Sequence, residues 1–261
     1  MNKTYHFISG LPRSGSTMLS AILKQNPRFH ASITDPLIGI VRNMIEMCGV
    51  GAGIKYEVTD EMRKNMACAL FDGYYKHIDR PVCFNTNRNW TYQTPLLSQI
   101  YPKSKILVCV RDINWVLDSL EIAHRKNPLS TNTIGGPPGG SVYSRTEYHM
   151  NTDDGMVGGP YEGIKQAIVS EEKNNLMIIE YDEFCKNPKG YMQAIYHFID
   201  EEYYEHDFNN VEGKWEEYDS EIGIDLHTVK RKVEFKERKT ILPPDILARY
   251  EGWEVWRNFY E

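Results

Sequence analysis

The segment GLPRSGST, residues 10–17, combines two glycines, an arginine and three hydroxyl side chains in a pattern that can bind phosphate. Gly10 and Gly15 have the spacing of the phosphate-binding loop GxxxxGK[ST], and they lie between an apolar run and a helix-like pattern. Backbone N–H groups at a helix N-terminus bind anions, and the guanidinium of Arg13 suits phosphate or sulfate oxygens. Further hydroxyl donors come from Ser14, Ser16 and Thr17.

The loop lacks the lysine with which nucleoside triphosphatases reach the β- and γ-phosphates, because Ser16 occupies that position. This difference argues against metal-dependent hydrolysis of ATP or GTP. It favours a ligand that carries one phosphate and one transferable group and that binds without a metal ion.

A second candidate anion site follows the apolar run KILVCV, residues 105–110. Arg111 comes directly after this run, and Ser119 lies eight residues further along. If the next helix starts near Asn114, both side chains can face one pocket, since eight residues span about two helical turns. Arginines at strand ends also serve in structural ion pairs, so both interpretations stay open.

Short apolar runs alternate with helix-like patterns along the chain, which predicts an α/β fold with a doubly wound, mainly parallel sheet flanked by helices. The predicted strands are residues 4–9, 81–86, 105–110 and 175–181. The predicted helices are residues 15–24, 36–48, 59–77, 94–102, 114–125, 161–173 and 188–199, with a last helix starting near Pro243. Ligands of such sheets bind beyond the carboxyl ends of the strands, where the loop, residues 85–88, Arg111 and Tyr181 are all expected.

The 261 residues fit a single α/β domain with a substantial core. Residues 127–160 differ in composition, because they are rich in glycine and proline and contain few apolar residues. This segment is too long for a simple connection in a compact domain. We therefore expect one domain over residues 1–261, with an insert at about 127–160 that is either a functional lid or mobile.

Charge and hydropathy exclude several classes of protein. A net charge of −6 and a pI of about 5.8 argue against nucleic-acid binding, because the chain has no overall positive charge that would attract phosphates. No apolar run approaches the length of a membrane span, and no signal-peptide segment opens the sequence. The five cysteines are scattered without zinc-ligand spacing, which indicates reduced thiols in a cytoplasmic protein.

Taken together, these motifs resemble those of sulfotransferases that use 3′-phosphoadenosine 5′-phosphosulfate (PAPS). In that family a PRSGT-like loop binds the 5′-phosphosulfate, an arginine at a strand end with a serine eight residues on binds the 3′-phosphate, and a tyrosine before acidic residues lies against the adenine. The matching parts here are LPRSGST with Arg13, then Arg111 and Ser119, then Tyr181 in IIEYDEF. The similarity extends from about residue 4 to about residue 200, and it resembles most the bacterial-type branch, with more distant likeness to protein-tyrosine sulfotransferases.

The resemblance implies a P-loop-type fold and transfer of a sulfuryl group from PAPS to a hydroxyl or amine, without a metal ion. Arg13 would stabilise the leaving phosphate, and the loop N–H groups with Ser14, Gly15, Ser16 and Thr17 would hold the 5′-phosphate. Residues 230–232 resemble a basic segment that closes over the 3′-phosphate in other sulfotransferases, which makes Arg231 and Lys232 candidates. A solvated basic face is an equally valid interpretation of this run.

The catalytic base has no clear match to a family motif. Asp35 is the carboxylate nearest to the family position, so we assign it as the base, although an aspartate before Pro36 is also a favoured helix cap. Arg88 stands at the end of a predicted strand where the family has a lysine, and it is our candidate for that positive charge. The acceptor is not specified by the sequence.

Two other functions fit parts of the pattern. A P-loop small-molecule kinase is disfavoured by Ser16 in place of lysine, and a nucleotide-binding module without catalysis is kept open by the unclear base. The C-terminal run YEGWEVWRNFY predicts a helix with an apolar face that either packs on the core or forms a homo-oligomer contact.

Overall fold

A computed structural model describes residues 3–49, 57–127, 140–213, 219, 227, 229 and 231–260. The sheet has five strands, all parallel, in the order β2-β3-β1-β4-β5. The strands are β1 Thr4–Gly10, β2 Phe29–Ala31, β3 Val82–Thr86, β4 Ile106–Val110 and β5 Leu176–Glu180. The chain runs outward from β1 to β2 and back to β3, then crosses to β4 and β5 on the other side of β1. Such a reversal opens a crevice at the carboxyl ends of the central strands.

Helices cover both faces of the sheet, as the alternating pattern predicts. The α-helices are α1 Ser16–Leu23, α2 Leu37–Met47, α3 Asp60–Tyr74, α4 Thr94–Ile100, α5 Ile113–Lys126, α6 Val142–Met150, α7 Gly158–Ile168, α8 Tyr181–Lys186, α9 Pro188–Phe198 and α10 Pro244–Arg249. Short 3₁₀ helices occupy Trp90–Gln93, Glu171–Asn175 and Val255–Tyr260.

The two faces of the sheet contribute to separate hydrophobic cores. Along β4, Val108 and Val110 belong to the core with α2, α3, α5 and α7, whereas Leu107 and Cys109 belong to the core with α1 and α9. Successive side chains of a strand point to opposite faces, so a strand covered on both sides must be apolar throughout. This requirement explains the continuous run ILVCV that made β4 readable from the sequence.

Several predicted boundaries are wrong. Strand β2 was not predicted, because its three residues carry no periodic pattern and are held by pairing with β3. β5 ends one residue early, since Tyr181 starts α8 and the acidic Asp182 and Glu183 occupy the first turn, where a helix favours negative charge. Helix α3 ends at Tyr74 rather than residue 77, and the helix expected at 161–173 runs over Gly158–Ile168.

The described part of the insert, residues 140–160, is folded against the rest of the protein. It contains α6, and Arg145 of this helix donates two hydrogen bonds of 2.8 Å to the carboxylate of Glu121 on α5. Glu121 and Arg145 are both buried, and Arg125 also donates to Glu121. The remaining insert residues, 128–139, lie outside the described residues.

The C-terminal segment returns to α5. The buried carboxylate of Asp118 accepts hydrogen bonds from the hydroxyl of Thr240 at 2.9 Å and from the backbone N–H of Ile241 at 2.7 Å. Further on, Trp256 packs in the core and donates to Glu180 at 3.2 Å. The helix predicted for this run is wrong, since the structure has a turn and the 3₁₀ helix Val255–Tyr260 there. The apolar side chains of the run nevertheless pack on the core, and a homo-oligomer contact stays a prediction.

Candidate active site

The loop between β1 and α1 requires glycine at positions 10 and 15. Gly10 has φ +120°, and a Cβ there would lie 2.0 Å from the carbonyl oxygen of Cys109 on the neighbouring strand. Gly15 has φ +88°, caps α1, and a Cβ there would lie 2.5 Å from the ring of Tyr181. The spacing of the two glycines thus reflects two close approaches, one to β4 and one to the first residue of α8.

Arg13 is held in an unusual conformation at the centre of this loop. Its φ of 60° is a left-handed value that non-glycine residues rarely adopt, and such residues cluster at functional sites. The side chain crosses to α5, where its Nε donates to the hydroxyl oxygen of Ser119 at 3.1 Å. Burial lowers the pKa of Arg13, while the carboxylate of Asp219 acts in the opposite direction.

A cavity of about 410 Å³ lies at the carboxyl ends of β1, β3, β4 and β5, with the loop as its floor. This volume is within the range of small-molecule sites, about 300–1,000 Å³. Its wall combines residues from the loop and α1, the ends of β2 and β3, α5, the insert and the C-terminal segment. The polar or charged lining residues are Ser9, Arg13, Ser16, Thr17, Thr34, Thr86, Asn87, Arg88, Arg111, Ser119, Tyr181, His227, Lys232, Glu234 and Arg238.

The predicted phosphate-loop residues divide into two groups. Arg13, Gly15, Ser16 and Thr17 line the cavity. Ser14 is buried instead, and its hydroxyl donates to the backbone oxygen of Pro12 at 3.3 Å. Its role in holding a phosphate stays a prediction.

Arg111 and Ser119 line the same cavity as the loop, so the two candidate anion sites share one space. The guanidinium of Arg111 lies 4.6 Å from the ring centre of Tyr181 and 3.0 Å from the carboxylate of Asp182. Its buried Nε atom has no hydrogen-bond partner among the described residues. Arg111 therefore makes a structural ion pair and also faces the cavity, so the two interpretations offered by the sequence are compatible.

Tyr181 joins the two sites. Its ring packs against Gly15 on one side and the guanidinium of Arg111 lies over it, and burial raises the pKa of this tyrosine to about 12. The phenol is thus neutral at physiological pH, and the ring presents a flat surface at the cavity wall.

The C-terminal segment contributes basic residues to the cavity wall, but they are only partly the ones that were predicted. Lys232 lines the cavity, whereas Arg231 does not and is exposed, 3.8 Å from Glu212. Arg238 lines the cavity, pairs with Asp118 and lies 4.9 Å from the ring centre of Trp115. Arg238 was not predicted from the sequence, because it lies outside the basic run at residues 230–232.

Asp35, assigned from the sequence as the base, lies behind the cavity rather than in its wall. Its buried carboxylate accepts hydrogen bonds from four donors: Tyr74 at 2.7 Å, Tyr75 at 3.2 Å, the backbone N–H of Thr86 at 3.1 Å, and the hydroxyl of Ser32. These contacts connect the end of β2 to the end of β3.

The alternative interpretation of Asp35 as a helix cap is wrong, because Pro36 caps α2 and no side chain donates or accepts there. The assignment of Asp35 as base stays a prediction. Arg88, the other candidate from this region, lines the cavity, and its backbone oxygen accepts from the hydroxyl of Ser9 at 2.9 Å.

Sequence analysis also missed a histidine–aspartate pair at the cavity. Nδ1 of His227 lies 2.7 Å from the carboxylate of the buried Asp219, and His227 lines the cavity. Met156 of the insert lines the cavity as well. No local pattern marks these residues, since none belongs to a motif and each is far from the loop in sequence.

The described residues include no group of three or more histidine, cysteine, aspartate or glutamate side chains that could hold a metal ion. Over the same residues, none of the helices has the length and apolar character needed to cross a membrane.

Known structures share this fold. A sulfotransferase domain from the curacin biosynthetic pathway is 14% identical, with a TM-score of 0.52 over 78% of this chain and 76% of that domain. A sulfotransferase from Alicyclobacillus acidocaldarius is 14% identical, with a TM-score of 0.51 over 85% and 92%. A mouse sulfotransferase in complex with PAP is 16% identical, with a TM-score of 0.51 over 78% of this chain and 60% of the mouse protein. At these identities the likeness shows the fold.

No curated protein sequence matches the chain. The sulfotransferase family, by contrast, matches residues 6–205, which contain the loop, Arg111, Ser119 and Tyr181. Because this match covers well over half of the sequence, the chain belongs to the sulfotransferase family.

Proposed function

We propose that this sulfotransferase takes its sulfuryl group from PAPS and transfers it to a hydroxyl or amine of an acceptor. The observation that carries the proposal is the shared cavity, in which the loop around Gly15 and the pair Arg111–Ser119 face one space of about 410 Å³. Two anion-binding groups at different strand ends suit a nucleotide with a phosphate at each end. The fold of a sulfotransferase solved with PAP supports the same choice.

Each end of the donor has a matching set of groups. The N–H groups at the start of α1, with the hydroxyls of Ser16 and Thr17, would hold the 5′-phosphosulfate, because helix N-termini bind anions. Arg111 would hold the 3′-phosphate through its buried Nε, which has no hydrogen-bond partner among the described residues. The ring of Tyr181 between these sites would lie against the adenine. Lys232 and Arg238 add positive charge from the C-terminal segment.

Ser119 can serve both ends of the site. Its hydroxyl oxygen accepts a hydrogen bond from Arg13, and a hydroxyl has one further donor and one further acceptor position. It would therefore donate to the 3′-phosphate while it keeps the guanidinium of Arg13 in place. Arg13 remains charged despite burial, since arginine stays protonated in proteins.

The transfer is a displacement at sulfur. As the acceptor atom forms a bond to sulfur, the bond from sulfur to the bridging oxygen breaks, and that oxygen leaves with the electron pair on adenosine 3′,5′-bisphosphate (PAP). Arg13 would stabilise the charge that develops on this oxygen, and Arg88 at the end of β3 would supply further positive charge. Charge stabilisation by groups held in advance is the largest contribution in comparable transfers.

Ligand-dependent thermal unfolding tests the proposal against the kinase alternative. PAP should raise the melting temperature in proportion to RT ln(1 + [L]/Kd), and it should do so in EDTA because no metal is needed. ATP with Mg²⁺ should shift the temperature far less. If ATP–Mg²⁺ stabilises the protein and PAP does not, the kinase alternative is favoured and the proposed use of PAPS is wrong.

A further inference from the structure

His227 lies in the wall of the proposed donor cavity and forms a pair with Asp219, and both residues are beyond the span of the family match. Nδ1 of His227 is 2.7 Å from the carboxylate of Asp219. The backbone N–H of His227 also donates to both carboxylate oxygens, at 3.1 and 2.9 Å. Asp219 thus holds the ring and the backbone of the same residue, which limits how the imidazole can turn.

This arrangement selects one form of the neutral imidazole. A carboxylate can only accept hydrogen bonds, so Nδ1 must carry the proton and Nε2 must carry the lone pair. The pairing of a buried carboxylate with Nδ1–H is the arrangement that orients a histidine base and stabilises the imidazolium formed when it takes a proton.

The pair is near Arg13, to which the proposed function gives a chemical role. His227 lines the same cavity as Arg13, and Asp219 is near enough to Arg13 to oppose the lowering of that arginine's pKa by burial. Arg13 is the residue expected at the breaking S–O bond. Asp35, in contrast, is engaged with four protein donors and does not line the cavity.

We propose that His227 is the general base of the transfer and that Asp219 is its positioning residue. This inference rests on the proposed function. Nε2 takes the proton of the acceptor hydroxyl or amine while the acceptor atom bonds to sulfur. The S–O bond to the bridging oxygen breaks, PAP leaves with that electron pair, and the imidazolium then releases its proton to water.

The test measures PAP release from PAPS with a panel of phenols, alcohols and amines, and with water where no acceptor reacts. His227→Gln should lower the rate by about 10²–10⁴-fold, the usual contribution of a general base, and should leave PAP affinity unchanged. Adding imidazole to His227→Ala should restore part of the rate. His77→Gln is the matched control, since His77 is exposed and follows α3.

Asp219→Asn separates positioning from packing, because it keeps the size of the side chain and removes its charge. Turnover should fall towards that of His227→Gln, whereas PAP affinity and the melting temperature should stay near those of the wild type. Wild-type turnover in this variant, or a loss of turnover that appears only together with a lower melting temperature, would overturn Asp219 as the positioning residue.

The outcomes separate this inference from the proposed function. Wild-type rates in His227→Gln, or a joint loss of rate and PAP affinity without rescue by imidazole, overturn His227 as base. The same assay with Asp35→Asn tests the competing assignment of the base. If Asp35→Asn lowers the transfer rate and His227→Gln does not, Asp35 is the general base. A wild-type chain that neither binds PAP nor consumes PAPS overturns the proposed function itself, and the base with it.

Discussion

At the scale of single residues, Arg13 combines the features that indicate a role in chemistry. It has a left-handed backbone, it is half-buried, and its Nε atom reaches Ser119 on another element at 3.1 Å. The carboxylate of Asp219 opposes the effect of burial on the pKa of Arg13. The phosphosulfate of the proposed donor would bring a further negative charge to this guanidinium.

Arg13→Ala should therefore lower the rate of transfer by about 10²–10³-fold, the usual loss when one donor to a developing oxyanion is removed. The fold should stay intact. The measurement is the single-turnover rate of PAP release from PAPS, with circular dichroism to verify folding. Arg42→Ala is the matched control, because Arg42 is exposed on α2. An Arg13→Ala variant as fast as wild type would remove Arg13 from the reaction.

At the scale of elements, α5 connects the cavity to the two segments around it. Ser119 and Ile122 of this helix line the cavity, and Met156 of the insert and Arg238 of the C-terminal segment line it too. Two buried carboxylates on the same helix hold these segments: Glu121 binds Arg145 of α6, and Asp118 binds Arg238. The described part of the insert is thus attached to α5 through a buried ion pair, and a lid at about residues 127–160 stays a prediction.

The ion pair between Glu121 and Arg145 should make the attachment of α6 dependent on pH. Burial alone would raise the pKa of Glu121, but hydrogen bonds from Arg145 and Arg125 outweigh it and hold this pKa below the ordinary value. A lowered pKa in the folded state means that the stabilisation is present above the unfolded-state pKa and is lost as the pH falls through the folded-state pKa.

Glu121→Ala should lower the free energy of unfolding by about 3–5 kcal/mol at neutral pH, because it leaves Arg145 buried without its partner. Denaturant unfolding measures this difference, which should shrink as the solution is acidified. Glu162→Ala removes an exposed pair with Lys165 and should cost less than about 1 kcal/mol. Equal effects of the two variants would contradict a structural role for the buried pair.

At the scale of the whole molecule, the strand order brings distant parts of the chain to one edge of the sheet. The loop follows the central strand β1, Arg111 follows its neighbour β4, and Tyr181 follows β5. Parallel strands place all of these ends on the same side, so a single ligand can contact all three.

Arg111→Ala tests whether one nucleotide contacts both the loop after β1 and Arg111 after β4. The variant should weaken PAP by about 10- to 100-fold, the value of a hydrogen bond to a charged group, and should affect adenosine 5′-phosphosulfate much less, because that ligand has no 3′-phosphate. Titration calorimetry with both ligands measures the difference. Equal losses for the two ligands would exclude Arg111 from the 3′-phosphate site.

The sequence alone was enough to predict the sheet class, four of the strands in the described sheet and the glycine-containing loop between β1 and α1. Each of these depends on local rules: a strand covered on both faces must be continuously apolar, and a loop that approaches β4 and α8 closely must carry glycine at Gly10 and Gly15. The common pocket of Arg111 and Ser119 was predicted for a similar reason, because Ser119 lies about two helical turns beyond the strand end that Arg111 follows. Their roles in binding a phosphate stay predictions.

Only the tertiary structure brought His227, Arg238 and Met156 to the cavity wall, and only the structure showed that Asp35 does not line it. The first three residues are more than a hundred positions from the loop in sequence, and contacts over such separations produce no periodic pattern in the chain. The three-residue β2 also exists because β3 pairs with it. The loop and the strand ends could thus be predicted from the sequence. The full set of residues around the cavity could not, because it depends on which distant segments pack against the sheet and α5.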